Sequence, residues 1–268
     1  MRIQFLKRTN IKLEKIVKER TRELEASKME LELANSTKNR FFSIVAHDLK
    51  NPFNALINYS YILLTDYKEL SDDEKIQFIK GIKDSSESTY KFLQNLLIWA
   101  RTQSNNIKCI PKEVNIKFVI DEAFRFLNVQ ANEKNIRLLS SIENDTFVFA
   151  DENMLNTIFI NLLTNAIKYS YEGKSVFVDI VEITDDFIKI SVRDEGIGIN
   201  DEVKKKLFHI EHSYSIKGTK GETGTGLGLI ITNEFIKANK GKIEVESKLG
   251  AGTTFYVTLP TPKNILEK

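Results

Sequence analysis

His47 stands in the run Phe41-Phe42-Ser43-Ile44-Val45-Ala46-His47-Asp48-Leu49-Lys50-Asn51-Pro52, whose polar members have the means to do chemistry. An imidazole that keeps one ring nitrogen unprotonated is a nucleophile near neutral pH. On an α-helix His47 and Asn51 lie one turn apart on the same side, while Phe41, Val45 and Leu49 point elsewhere. Asp48 is expected to accept a hydrogen bond from one ring N–H, fixing the tautomer and leaving the other nitrogen for attack. Pro52 has no N–H for the carbonyl of Asp48, so a bend is expected just past the histidine. A solitary exposed histidine on a helix is usually silent; these neighbours set His47 apart.

Three further runs have the make-up of an anion or nucleotide site. In Asn161-Leu162-Leu163-Thr164-Asn165-Ala166-Ile167-Lys168-Tyr169 the polar residues Asn161, Asn165 and Lys168 recur at i, i+4 and i+7, one stripe on an apolar helix. Buried amides without partners are costly, so the stripe should face a wet or charged pocket. The competing reading is a bland surface stripe. An asparagine carbonyl is a hard oxygen suited to Mg²⁺, and an ammonium suits phosphate. Asp194-Glu195-Gly196-Ile197-Gly198-Ile199 follows a strand ending at Arg193. A carboxylate there can accept from an exocyclic amine such as that of adenine, and Gly196 and Gly198 let the backbone close around a flat ring. Gly221-Glu222-Thr223-Gly224-Thr225-Gly226-Leu227-Gly228-Leu229 opens an apolar helix and feeds free N–H groups toward an anion. Its spacing is neither that of Walker A nor that of the dinucleotide fingerprint, and the Ser/Thr kinase signatures are absent. His209, Glu211 and His212 invite a metal site, but two histidines three apart in a loop with no cysteine near read better as solvated.

The elements that must position these residues fall into two kinds. Residues 3 to 45 carry a 3,4 spacing through Ile3, Leu6, Asn10, Leu13, Val17, Arg20, Leu24, Ser27, Leu31, Ala34, Lys38, Phe41 and Val45. This is a heptad seam weakened by polar members, as in a coiled coil built to shift. No Gly or Pro interrupts it before Pro52, so one helix should run from the seam through His47. A capping box at Ser71-Asp72-Asp73-Glu74 starts a second helix, which ends near Ser104. Two long amphipathic helices joined by a short loop make a hairpin whose apolar stripes need a partner, most economically a second copy in a four-helix bundle. Asn105, Asn106 and Pro111 read as a linker. Beyond it the pattern predicts a helix over 116–133, strands at 136–141 and 146–149, and a helix over 152–170. Strands at 175–183 and 187–193, a helix over 226–239, and strands at 242–247 and 253–259 complete it. That grouping predicts an α+β sandwich, a mixed sheet with helices on one face.

Composition narrows the function classes. The formal net charge over 268 residues is +2 with interspersed signs, no footprint for nucleic acid. Lys204 to Lys206 read as a solvated helix face. Cys109, the single cysteine, has no internal disulfide partner and reads as a small buried hydrophobe. No apolar stretch is long enough to span a membrane and no signal peptide opens the chain, so any membrane attachment would come through an upstream segment.

The string His47-Asp48-Leu49-Lys50-Asn51-Pro52 resembles the H-box of sensor histidine kinases. The runs at 161–169, 194–199 and 221–229, in that order, resemble the N, G1 and G2 boxes of the ATPase superfamily shared by histidine kinases, gyrase, Hsp90 and MutL. Phe208 and the polar loop from His209 to Thr223 sit where that family has its F-box and lid. The resemblance implies a coiled-coil signalling helix over 1–37, a dimerisation and phosphotransfer hairpin over 38–105, a linker over 106–115, an ATP-binding catalytic domain over 116–262, and a tail over 263–268. It implies autophosphorylation of His47, with Asp48 as acid/base and Asn51 positioning water in a phosphatase reaction. ATP and Mg²⁺ would be held by Asn161, Asn165, Lys168, Tyr169, Asp194, Gly196, Gly198, Gly224, Thr225, Gly226, Leu227 and Gly228, with Asn165 on the metal; whether Lys217 or Lys220 reaches the phosphates is left open. The implied partners are a second copy and the receiver domain of a separate response regulator, and the implied location is the cytoplasm. A nucleotide-binding scaffold without turnover would lack the need for His47, and a gyrase-like ATPase would lack its helix.

Overall fold

The computed structural model describes residues 2–103, 108–143, 146–208, 217–222 and 226–263; some helical side chains within these ranges, those of His47, Asp48 and Trp99 among them, fall outside the description. The chain divides into two compact units, residues 1–51 and 52–268.

The first unit is the leading part of a single helix, α1 (Arg2–Thr65). Surface pairs such as Arg20–Glu23 (2.9 Å) and Lys28–Glu32 (3.8 Å) line it, each contributing little alone. Leu13, Val17, Leu24 and Leu31 of the heptad seam are all exposed within this one chain.

In the second unit α1 continues through Pro52 to Thr65 without leaving helical geometry. A turn leads into α2 (Asp72–Gln103), and the capping box forms as the sequence predicts: Ser71 N–H donates to Glu74 Oε2 at 2.8 Å, and Glu74 N–H to Ser71 Oγ at 3.3 Å. The two helices meet through Tyr59 and Phe78, with ring centroids 5.8 Å apart, and through Gly81. A Cβ at Gly81 would lie 2.6 Å from the Tyr59 ring, which explains a glycine inside a helix. Phe53, Ile57, Tyr61 and Leu64 on α1, with Ile79, Tyr90, Leu93 and Leu97 on α2, stay exposed.

The remaining elements are β1 (Lys112–Asn115), α3 (Ile116–Asn132), β2 (Arg137–Ser140), β3 (Phe147–Ala150), α4 (Glu152–Tyr169), β4 (Ser175–Ile183), β5 (Phe187–Asp194), α5 (Asp201–Lys204), α6 (Gly228–Ala238), β6 (Lys242–Ser247) and β7 (Thr253–Pro260). Five strands form a mixed sheet in the order β2-β4-β5-β7-β6, with β2 parallel to β4 and the other pairs antiparallel. Period-2 alternation sends Ile188, Ile190, Val192, Phe255, Val257 and Leu259 into the core. On the other side, Lys189 sits over the ring of Tyr256 and Arg193 over that of Phe177. α4 is the central helix, packed on α3, α6, β4 and β5, and it buries Leu155, Ile158, Phe159, Leu162 and Leu163. This is the expected α+β sandwich.

Two details depart from the sequence reading. The stretch read as linker over 106–115 ends in a strand: β1, of which Val114 is the one buried residue, pairs antiparallel with β3 to make a separate two-stranded sheet. A four-residue strand with a single apolar side chain has no periodicity to reveal it. Cys109 is half-buried rather than buried, and its thiol donates to Asn239 Oδ1 at 3.5 Å. Burial and the nearby Asp151 raise its pKa.

Candidate functional site

α4 begins on Asp151, whose Oδ1 accepts from the N–H groups of Asn153 (3.0 Å) and Met154 (3.1 Å), an N-cap that fixes where the polar stripe begins. Asn161 and Asn165 are half-buried. Asn161 Nδ2 donates to the Gly228 carbonyl at 3.4 Å, tying α4 to the first turn of α6. Gly228 itself lies 3.7 Å, as a Cβ would measure it, from the Asn161 side chain. Lys168 is 5% exposed, its Nζ 4.7 Å above the Tyr169 ring. Burial pushes its pKa down and Lys134 pushes it further, against an upward pull from Glu222. Tyr169 is raised, by burial and then by Glu222.

The last four carbonyls of a helix need partners from outside it, and here they bring the site together. The Ala166 carbonyl accepts from Ser170 N–H at 3.0 Å. Those of Ile167 and Lys168 accept from Lys134 Nζ at 2.9 and 2.6 Å, and that of Lys168 also from Thr219 N–H at 3.2 Å. The Tyr169 carbonyl accepts from Ile197 N–H at 3.2 Å, inside the Asp194–Ile199 run. One helix end thus joins the first of the sequence runs to the second, while Asn161, farther back on the same helix, bonds to Gly228 of the third.

Asp194 closes β5 and is 6% exposed. Among the described residues its hydrogen bonds converge on Oδ1, from Gly196 N–H at 2.9 Å and Thr253 N–H at 3.2 Å. Burial raises its pKa to about 6 against these two bonds, which lower it. Both glycines after it are required by space. A Cβ at Gly196 would lie 2.1 Å from the Tyr169 carbonyl oxygen; at Gly198, which has φ +67°, it would lie 2.1 Å from that of Lys248.

Of the third run, Gly226, Leu227 and Gly228 are described, whereas Gly224 and Thr225 lie outside the described residues, as do His209, Glu211 and His212. Gly226 has φ +68° and turns the chain into α6, whose N-cap residue is the buried Leu227. Phe208 is described and half-buried. Lys217 is exposed, while Lys220 pairs with Glu172 at 3.2 Å and donates to the Glu133 carbonyl at 3.2 Å. His47 and Asp48 have helical backbone within α1, and Asn51 is exposed one turn on. Lys134 was not picked out from the sequence: a lysine at a helix end is common, and only the fold reveals that this one is enclosed.

A helical hairpin is followed by an α+β sandwich whose central helix, α4, carries the polar stripe. Residues 37–105 match the His Kinase A (phospho-acceptor) domain, and residues 150–263 the histidine kinase-, DNA gyrase B- and HSP90-like ATPase family. Sporulation kinase E of Bacillus subtilis is 31% identical over 84% of this chain and 29% of its own length. The non-motile and phage-resistance protein of Caulobacter vibrioides is 28% identical over 90% of this chain and 29% of its own. The histidine kinase AdeS of Acinetobacter baumannii superposes with a TM-score of 0.64 at 18% identity, covering 81% of this chain and 98% of that one. Histidine kinase ThkA in complex with the response regulator protein TrrA gives 0.62 at 21%, covering 84% and 62%. At these identities the structural likeness is one of fold. The chain belongs to the sensor histidine kinases, with a phosphoacceptor domain and a catalytic domain of the gyrase and HSP90 type. It spans less than half the length of the curated relatives it matches.

Proposed function

We propose that the chain is an ATP-dependent protein-histidine kinase that phosphorylates His47 and passes the phosphoryl group to an aspartate of a separate response regulator. The observation that carries this is the set of bonds made by α4: Asn161 bonds to the start of α6, and the last carbonyls of the helix bond to Lys134, Thr219 and the Asp194–Ile199 run. In this reading Asp194 accepts from the adenine amine while Gly196 and Gly198 let the backbone approach the ring. Lys168 and the N–H groups entering α6 face the phosphates. Gly224, Thr225, Gly226, Leu227 and Gly228 complete the nucleotide-binding set in this reading, and Tyr169 flanks the lysine.

Mg²⁺ fits the donor chemistry at Asn165, one hard amide oxygen on the polar face of α4. Among the described residues no three carboxylate, histidine or cysteine side chains cluster for a protein-built cage, so the ion would take its other oxygens from phosphates and water. When bound, it would offset charge on the transferring phosphoryl group. His47 attacks the γ-phosphorus in line, with Asp48 holding its tautomer and Asn51 placed for a water in dephosphorylation.

The domain division proposed is a signalling helix over 1–37, a hairpin over 38–105, a connection over 106–115 that ends in β1, a catalytic domain over 116–262, and a tail over 263–268. The exposed apolar stripes of α1 and α2 face a second copy in a four-helix bundle. No described helix is long and apolar enough to cross a membrane, and attachment through an upstream segment is part of this reading. The test is labelling with γ-phosphate: His47→Gln should abolish incorporation while nucleotide still binds. Label retained in the variant would overturn the assignment of the acceptor.

A further inference from the structure

Lys134 lies in the turn between α3 and β2 and is 3% exposed. An ammonium withdrawn from water must recover its lost hydration in hydrogen bonds. Nζ does so three times: to the carbonyls of Ile167 (2.9 Å) and Lys168 (2.6 Å), and to Glu222 Oε1 (2.7 Å). Its backbone is held too. Asn135 takes the left-handed φ of 53° that turns the chain into β2, and Gly173 N–H donates to the Lys134 carbonyl at 3.2 Å. The lysine is therefore a fixed post between α4 and the glycine-rich run.

Glu222 is the more exposed partner, its side chain 31% exposed. Oε2 accepts from Lys220 N–H at 2.8 Å, and the Glu222 carbonyl accepts from Gly218 N–H at 2.8 Å, closing a small turn over α4. A Cβ at Gly218 would meet both Glu222 Oε2 (2.3 Å) and Lys168 Cγ (2.7 Å), so this turn rests directly on the Lys168 side chain. Two cations thus lie within reach of one carboxylate. Among the described residues the ion pair forms with Lys134 and none joins Glu222 to Lys168. The pull of Glu222 on Lys168 is nonetheless felt at longer range, raising a pKa that burial and Lys134 lower.

We propose that Lys134 is a positioning residue of the nucleotide site: by holding Glu222 it keeps that carboxylate off Lys168, leaving the Lys168 ammonium for the phosphates. This rests on the reading of Lys168 as phosphate-facing. Without Lys134 the carboxylate would swing to the remaining cation and screen it from the ligand. Specificity for phosphates would then be lost at a residue that touches none.

The experiment compares ATP and adenosine by competition against a fluorescent nucleotide, with thermal unfolding of each variant recorded alongside. Lys134→Met should weaken ATP about tenfold or more and move adenosine, which has no phosphate, by less than about threefold. Lys134→Met/Glu222→Gln should recover most of the ATP affinity. Equal losses for ATP and adenosine, or a double variant no better than the single, would overturn the proposal and leave Lys134 a purely structural residue. Should Lys134→Met not fold, Glu222→Gln decides alone. On this account it keeps or improves the preference for ATP over adenosine, and a fall in that preference overturns it. A wild-type protein that binds adenosine as tightly as ATP refutes the phosphate-facing reading itself, a result distinct from all of these.

Discussion

The backbone N–H of Ile110 donates to Asp151 Oδ2 at 3.0 Å. The other oxygen of the same carboxylate caps α4, and the Asp151 N–H donates in turn to Asn239 Oδ1 at 2.7 Å. Asn239, the C-cap of α6, also receives the Cys109 thiol. The segment leading out of the hairpin is thereby fastened to the first residue before α4 and the first after α6.

Asp151→Ala removes a buried cap and the Ile110 bond together. A loss of about 2 kcal/mol in unfolding free energy is expected, at the upper end of N-cap deletions because the site is enclosed. Urea unfolding of wild type and variant measures it; a change within experimental error would mean the cap contributes nothing.

Asp194 makes the site pH-sensitive. Its folded pKa, about 6, lies above the ordinary value of 3.8, so the folded state binds the proton more tightly than the unfolded one. The protonated form therefore favours folding, and stability falls as pH rises from about 4 to about 6, then levels. Asp194→Asn should remove this dependence and be more stable than wild type by on the order of 2–3 kcal/mol at pH 7. In the same variant ATP affinity should collapse, because the carboxylate proposed to accept from the adenine amine is gone. Denaturation series at several pH values, paired with nucleotide titration, check both halves.

Two glycines with positive φ separate strain from collision. Gly173 has φ +76° with open space where a Cβ would go, so Gly173→Ala should cost roughly 1 kcal/mol. Gly198 adds a backbone oxygen at 2.1 Å, which has no side-chain freedom to yield. Gly198→Ala should cost on the order of 3 kcal/mol and lower ATP affinity as well. Equal melting temperatures for the two variants would refute the distinction.

The exposed hairpin stripes predict the assembly state. Ile57→Asp or Leu93→Asp, each placing a charge on an apolar face, should shift a dimer toward monomer in light scattering at micromolar concentration. An unchanged mass would place the interface elsewhere.

Much of this was legible in the residues because the signals are local. Ser71 and Glu74 are three apart and bond each other, and the alternation of Ile188, Ile190 and Val192 needs no knowledge of neighbours. What stayed hidden depends on segments distant in sequence. β1 exists because Glu113 finds Phe149, and Lys134 matters because Glu222, 88 residues away, lies above it. A lysine bound by backbone carbonyls leaves no motif, since any residue can supply a carbonyl.

The strand order carries a consequence for synthesis. β7 follows β5 and β6 in the chain yet lies between them, and within the sheet β6 is paired through it alone. β5 must wait on one edge, and β6 has no sheet partner, until β7 leaves the ribosome and inserts between them. Only then does Thr253 reach Asp194. A nascent chain arrested before residue 253 should therefore hold α4 and β5 but bind no nucleotide, so that competence for ATP appears in one step once β7 has emerged.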